Sequence, residues 1–202
     1  MDIARFWFDP ICPWTYVTYQ WLEEVRQVRQ VTVEPRLLSL HFLNQGREDH
    51  PHRDTHLASL PLERFLAHVR AQRGAAAMEG AYRVIAEALF ADRREPGVDL
   101  VVQAAAALLM DSAEAAAASA DEAWDEVIRR DHREAMDLVG ADVGSPVIAL
   151  EGGAAFFGPV LARAPRGEDA GRVWDGCAAL ASHSDFYELK RSRGAGVQLR
   201  FD

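Results

Sequence analysis

The stretch Asp9-Pro10-Ile11-Cys12-Pro13-Trp14-Thr15 constrains this chain more than any other. It stands where an apolar run, Phe6-Trp7-Phe8, gives way to an amphipathic pattern that begins near Trp14. A strand that ends on a cysteine opening a helix is a chemical arrangement in its own right. The unpaired N–H groups of the first helical turn, together with the helix dipole, face the sulfur and favour thiolate over thiol. Cysteines so placed have pKa values of roughly 3.5–7.5, against about 8.5 for an unperturbed thiol. Pro13 suits the first turn because its missing N–H would have no partner there. Thr15 can offer its hydroxyl to the same sulfur. Asp9 turns or caps the entry to the helix, and if buried beside a thiolate it would raise the sulfur's pKa. Cys12 is expected to be an attacking thiolate.

The rest of the chain alternates around this junction. Ile3 to Asp9 reads as a buried aromatic strand, and Pro13 to about Arg29 as a helix with Tyr16, Trp21, Leu22, Val25 and Val28 on its apolar face. Val31 to Leu40 reads as a second strand, with Pro35 pointing to a sheet edge or a break. A strand, helix and strand of this length fit the right-handed parallel unit of an α/β sheet. Asn44 to Thr55 is a polar loop, after which the period is helical up to Gly140. Ser119 and Glu122 have capping-box spacing ahead of the last of these helices. Pro146 to Leu150, the turn Glu151-Gly152-Gly153 and Ala154 to Phe157 then read as a β-hairpin, and Glu168 to Ala181 as a final helix. The expected organisation is an α/β frame at 1–55 and 141–202 with an all-helical insertion at 56–140.

Bulk properties narrow the class. Hydrophobic content of 49% supports a packed core, and no long uncharged apolar stretch suggests a membrane span. A net charge of −9 disfavours nucleic acid, which asks for clustered positive charge. The N-terminus enters the first strand without the pattern of a signal peptide, and two cysteines are too few for a disulfide framework. Both point to the cytoplasm. Lys190 is the single lysine beside abundant Arg, Ala and Gly, a mark of GC-rich codon usage.

The order βαβ, helices, ββα, with a cysteine at the first strand–helix junction and Ser145-Pro146 before the hairpin, resembles the thioredoxin fold. The long insertion resembles the branch of DsbA and the kappa-class glutathione transferases, which includes 2-hydroxychromene-2-carboxylate isomerase. Several separated motifs are similar to those of the mycothiol-dependent nitroreductase family. They are Phe6-Trp7-Phe8-Asp9-Pro10-Ile11-Cys12-Pro13-Trp14, Leu40 with Leu43-Asn44, and Asp142-Val143-Gly144-Ser145-Pro146. Phe156-Phe157-Gly158-Pro159-Val160-Leu161, Pro165-Arg166-Gly167-Glu168 and Phe186-Tyr187-Glu188-Leu189-Lys190-Arg191 complete the set. The resemblance implies a cis bond at Pro146 that turns Ser145 toward a bound thiol or peptide, an Asn44 loop and Pro13 and Trp14 that help bind the thiol, and mycothiol as co-substrate. This chain departs from the family's pattern in carrying Thr15 where well-known members have a second cysteine. Cys12 therefore cannot close a disulfide within its own motif, and monothiol chemistry resolved by an external thiol is expected.

Other candidates carry less. Cys177, flanked by Trp174 and Leu180, reads as an inert core residue more readily than as a resolving thiol. His50, His52 and His56 match no firm metal-ligand spacing, and His41 reads as a strand-end histidine more readily than as a base. Neither a metal nor a nucleotide is expected. The expected partners are a small-molecule thiol and a small organic or disulfide substrate, with a homodimer compatible and no nucleic acid or membrane partner. A thiol-dependent isomerase or transferase, with no net redox change, is the rival activity. A redox-silent binding protein is the rival from another class.

Overall fold

The computed structural model describes residues 2–152, 155–194 and 196–199. Four strands, β1 (Asp2–Phe8), β2 (Val31–Leu37), β3 (Val147–Leu150) and β4 (Ala155–Phe157), form one sheet in the order β2-β1-β3-β4. β1 pairs parallel with β2 and antiparallel with β3, and β3 pairs antiparallel with β4. The central strand is covered on both faces, which explains its unbroken aromatic run: Phe6, Trp7 and Phe8 are all buried. The alternation in β2 buries Val31, Val33, Pro35 and Leu37, and its edge position is where a proline costs the ladder least. Of the expected hairpin, Gly153 in the turn and Ala154 in the second strand lie outside the described residues.

Helix α1 (Pro13–Val28) leaves the end of β1 and packs between two neighbours. On one side Trp21 donates its indole N–H to Ala170 O at 3.1 Å, and its ring lies 6.0 Å from that of Trp174. Both partners belong to the last helix, whose bounds, Glu168–Ala181, coincide with the expectation. On the other side Tyr16 stacks on Phe90 at 5.0 Å.

Between β2 and β3 come α2 (Leu40–Leu43), α3 (Arg53–Arg73), α4 (Ala75–Ala86), α5 (Val98–Ala107), α6 (Ser112–Ala120) and α7 (Asp125–Val139); the helix Glu168–Ala181 is α8. These helices share one apolar core with the sheet. Phe6, Phe8 and Trp21 join Phe65, Leu66, Tyr82 and Ile85 in a single buried cluster, while α7 covers the opposite face, where Ala135 meets Trp7 and Val147. A single glycine, Gly74, ends α3 and opens α4 at φ 84°, in the left-handed region that suits a residue without a side chain. No helix among the described residues is long and apolar enough to cross a membrane.

Three local expectations change. β2 stops at Leu37, because Ser39 caps α2 by accepting from Phe42 N–H. Helix α3 starts at Arg53, inside the stretch expected to be loop, and runs through Pro61. Ser119 is no cap: it sits in the last turn of α6 and donates to Ala116 O. Asp121 caps the following turn instead, accepting from Ala123 N–H at 2.9 Å, since its carboxylate stands just outside the helix that Ser119 is still part of.

Candidate active site

Cys12 is the N-cap of α1. Its N–H donates to Asp9 O and its carbonyl accepts from Tyr16 N–H, both at 3.1 Å, so a tight turn and the first helical bond fix the sulfur between strand and helix. The Ser145–Pro146 peptide bond is cis. Ser145 faces the cysteine across it, with its carbonyl 3.5 Å from Cys12 Sγ, in position to accept the S–H. Ser145 Oγ accepts the Asp9 N–H at 3.0 Å and lies 2.7 Å from Thr15 Oγ1. Cys12, Thr15, Ser145 and Pro146 are thus gathered from two distant parts of the chain into one buried polar knot. Thr18 ties a further segment to it, its hydroxyl lying 2.9 Å from Pro159 O and 3.0 Å from Trp14 O.

The electrostatics run against the sequence expectation. Burial pushes the Cys12 thiol up from its ordinary value, and the negative charge of Asp9 adds to the rise. The Thr15 hydroxyl, Thr15 N–H and Trp14 N–H pull the other way without overcoming it. The first-turn donors act as the helix position required, but Cys12 is only 5% exposed, and loss of water outweighs them. Burial thus opposes the thiolate that the helix position alone predicts.

The flanking residues divide. Pro13 and Trp14 lie in the first turn of α1, and the Trp14 ring is half-buried with the Arg193 guanidinium 5.0 Å from its centre. Asn44 closes α2 at some remove, donating to Leu40 O at 2.9 Å and accepting from Arg47 at 3.3 Å. It lines a cleft of about 220 Å³ together with Arg47, Arg53 and the imidazoles of His41, His50 and His56. Burial holds His56 down to about 4 and lowers His41 as well, which favours the neutral form of both. Glu48 also lines the cleft, and the arginines supply its positive charge. Cys177 is free and half-buried in α8, its thiol pushed up by burial to about 11.

Sequence reasoning gave Asp9 a turn at the helix entry and, if buried, a charge that opposes the thiolate; it did not give its partners on α2 and α3. The structure makes it the hub beneath the sulfur. Asp9 Oδ1 accepts from Ile11 N–H at 3.1 Å and from the Ser59 hydroxyl at 2.6 Å, and Oδ2 accepts from Leu40 N–H at 2.7 Å. One carboxylate thereby joins the cysteine turn, α2 and α3. Ser59 and Glu63, a polar pair four residues apart beside the apolar positions of α3, were the available signal. Helical spacing alone could not say that they face inward.

The model of the Rv2466c-like family, described as mycothiol-dependent nitroreductase Rv2466c, matches residues 11–191. The chain belongs to that family. The Mycobacterium tuberculosis protein Rv2286c, described as uncharacterized, is 30% identical over 205 residues, spanning 98% of this chain and 86% of its own length. Solved structures agree on the fold. A probable DsbA oxidoreductase, SCO1869 of Streptomyces coelicolor, is similar at a TM-score of 0.63 and 19% identity, covering 96% of this chain and 95% of that one. The cytosolic disulfide reductase DsbM of Pseudomonas aeruginosa, solved with GSH, gives 0.60 at 19% identity over 88% and 100% of the two chains. A 2-hydroxychromene-2-carboxylate isomerase gives 0.60 at 18% over 88% and 93%. This member of the Rv2466c-like family therefore has the DsbA-like thioredoxin fold.

Proposed function

We propose that the protein is a cytoplasmic thiol-dependent oxidoreductase that uses Cys12 as its sole nucleophile and mycothiol, or a similar low-molecular-weight thiol, as co-substrate. The observation that carries this reading is the buried trio of Cys12, Thr15 and Ser145 at the mouth of α1. A dithiol enzyme passes two electrons on by closing a disulfide between two neighbouring sulfurs; here the neighbour is an alcohol, which can hydrogen-bond the sulfur but cannot form that bond.

The trio has two consistent hydrogen-bond arrangements. With Cys12 protonated, the S–H points to Ser145 O. With Cys12 ionised, Thr15 turns its hydroxyl to the sulfur, Ser145 donates to Thr15 Oγ1, and Asp9 N–H continues to donate to Ser145 Oγ. The thiolate then attacks a substrate disulfide. The Cys12–S bond forms, the substrate S–S bond breaks, and the departing sulfur takes the electron pair and a proton from solvent. An external thiolate attacks the substrate-derived sulfur of the mixed disulfide; a new S–S bond forms to that sulfur, the Cys12–S bond breaks, and Cys12 leaves as the thiolate. In this reading Pro13 and Trp14 flank the incoming thiol, and Asn44 with its cleft holds the polar part of that thiol. Residues 56–140 form a helical unit over a thioredoxin-like frame at 1–55 and 141–202.

Intact mass after incubation with mycothiol disulfide tests the reading. One adduct on Cys12, absent from Cys12→Ser, is expected. An adduct on Cys177 instead, or none at all, overturns it.

The second reading is an isomerase or transferase. It is favoured by the burial that pushes the Cys12 thiol up from its ordinary pKa. A neutral S–H, with the Thr15 hydroxyl, can hydrogen-bond a bound external thiolate that adds to and leaves a small organic substrate. Under that reading thiol is returned after turnover; under the first it is consumed.

A further inference from the structure

Glu63 is an anomaly among the buried residues. It is 0% exposed, and neither of its carboxyl oxygens closes a well-formed hydrogen bond. Buried polar groups are nearly always paired, and an apolar side chain of this size would fit the interior at less cost. Yet Glu63 lies within reach of Asp9, Ser39 and Ser59, one helical turn beyond the serine whose hydroxyl grips Asp9.

The two carboxyls are equipped differently. Asp9 receives Ile11 N–H, Leu40 N–H and the Ser59 hydroxyl, all of which favour its anion. Glu63 receives nothing comparable, so its cheapest state is the protonated one, donating to Asp9. Two carboxyls this close and this dry do not both ionise. The pair sits under the cysteine turn, where Asp9 O takes the Cys12 N–H. The other titratable or charged groups acting on it are His41 on α2, Arg64 on α3 and Tyr82 on α4.

We propose that Asp9 and Glu63 share one proton beneath Cys12 and read its charge, gripping the proton while the sulfur is a thiolate and loosening it once the sulfur is capped. Glu63 is then a positioning residue of the thiol chemistry: it acts through Asp9, and it brings the helical segment into the reaction. The coupling is reciprocal. Whatever the ionised sulfur does to the pair, the pair does to the sulfur. If Glu63 loses its proton, a second negative charge appears next to the first and thiolate formation becomes harder.

The inference rests on Cys12 being the reacting sulfur, but its test uses iodoacetamide and no physiological thiol. Infrared difference spectra are recorded at a pH where ultraviolet absorbance shows the Cys12 thiolate, before and after alkylation. A protonated-carboxyl carbonyl band is expected, it should shift or diminish on alkylation, and it should be absent in Glu63→Gln. The pH profile of Cys12 alkylation should be broader than a one-site curve in the native chain and follow a one-site curve in Glu63→Gln. A missing band, a band indifferent to alkylation, or profiles of equal width would overturn the proposal. The native spectra decide even if the variant folds poorly. Failure to form a mercaptan adduct from mycothiol disulfide would sink the functional reading and leave this one standing.

Discussion

Cys12 and Cys177 are both free, both shielded, and both pushed toward the thiol form by burial. They differ in what else surrounds them. Burial is the whole cause at Cys177, whereas Cys12 is met by a hydroxyl and two first-turn N–H groups that would stabilise a charge, and by Asp9, which opposes it. Burial sets how far a sulfur sits from ionising. Directed donors decide whether it can get there when water or a ligand enters.

The largest test of that contrast is substitution of each sulfur. Under the oxidoreductase reading, Cys12→Ser should cut thiol-dependent turnover on the order of 10³-fold or more, while Cys177→Ser stays within about twofold. Equal losses would erase the distinction. Next comes Asp9→Asn, which removes the opposing charge. The Cys12 alkylation midpoint should fall by about one pH unit, with Cys177 unmoved. Thr15→Val should move it the other way by about one to two pH units, since a hydrogen bond to a charged group contributes about 1.5–3 kcal/mol. Thr15→Ser should restore it.

Stability against pH sharpens the same comparison. Each thiol has a folded pKa above its unfolded value, so the folded chain holds the proton longer. The stabilisation is complete below about pH 8.5 and is lost as pH rises toward each folded value, with a slope of about 1.4 kcal/mol per pH unit at most. For Cys177 that window closes at about 11. Thermal melts between neutral pH and the alkaline end should fall less steeply in either serine variant, and a steeper fall would contradict the burial account. The smallest effect is expected from Arg193→Ala, which uncovers Trp14 and should raise Cys12 alkylation a few-fold while leaving Cys177 alone.

Much of this was legible because it is local. The strand–cysteine–helix junction, the limits of α8 and the glycine stops at residues 74 and 140 follow from periodicity and from one backbone requirement each. The acidity of Cys12 was not local. Its largest cause is burial, and that depends on α3 and α4 sharing one core with the sheet, which no short stretch of sequence announces. The Ser119–Glu122 spacing misled for a related reason: a capping pair is recognised by four residues, but where a helix stops depends on the neighbour it packs against.

The approach of Arg193 to Trp14 ties the end of the chain to its beginning. Gln198 N–H donates to Ala162 O at 2.6 Å, and Val197 and Leu199 rest on the main core. The Arg193 end of that stretch lies against the ring that flanks Cys12, so trimming it would bare one side of the first turn of α1.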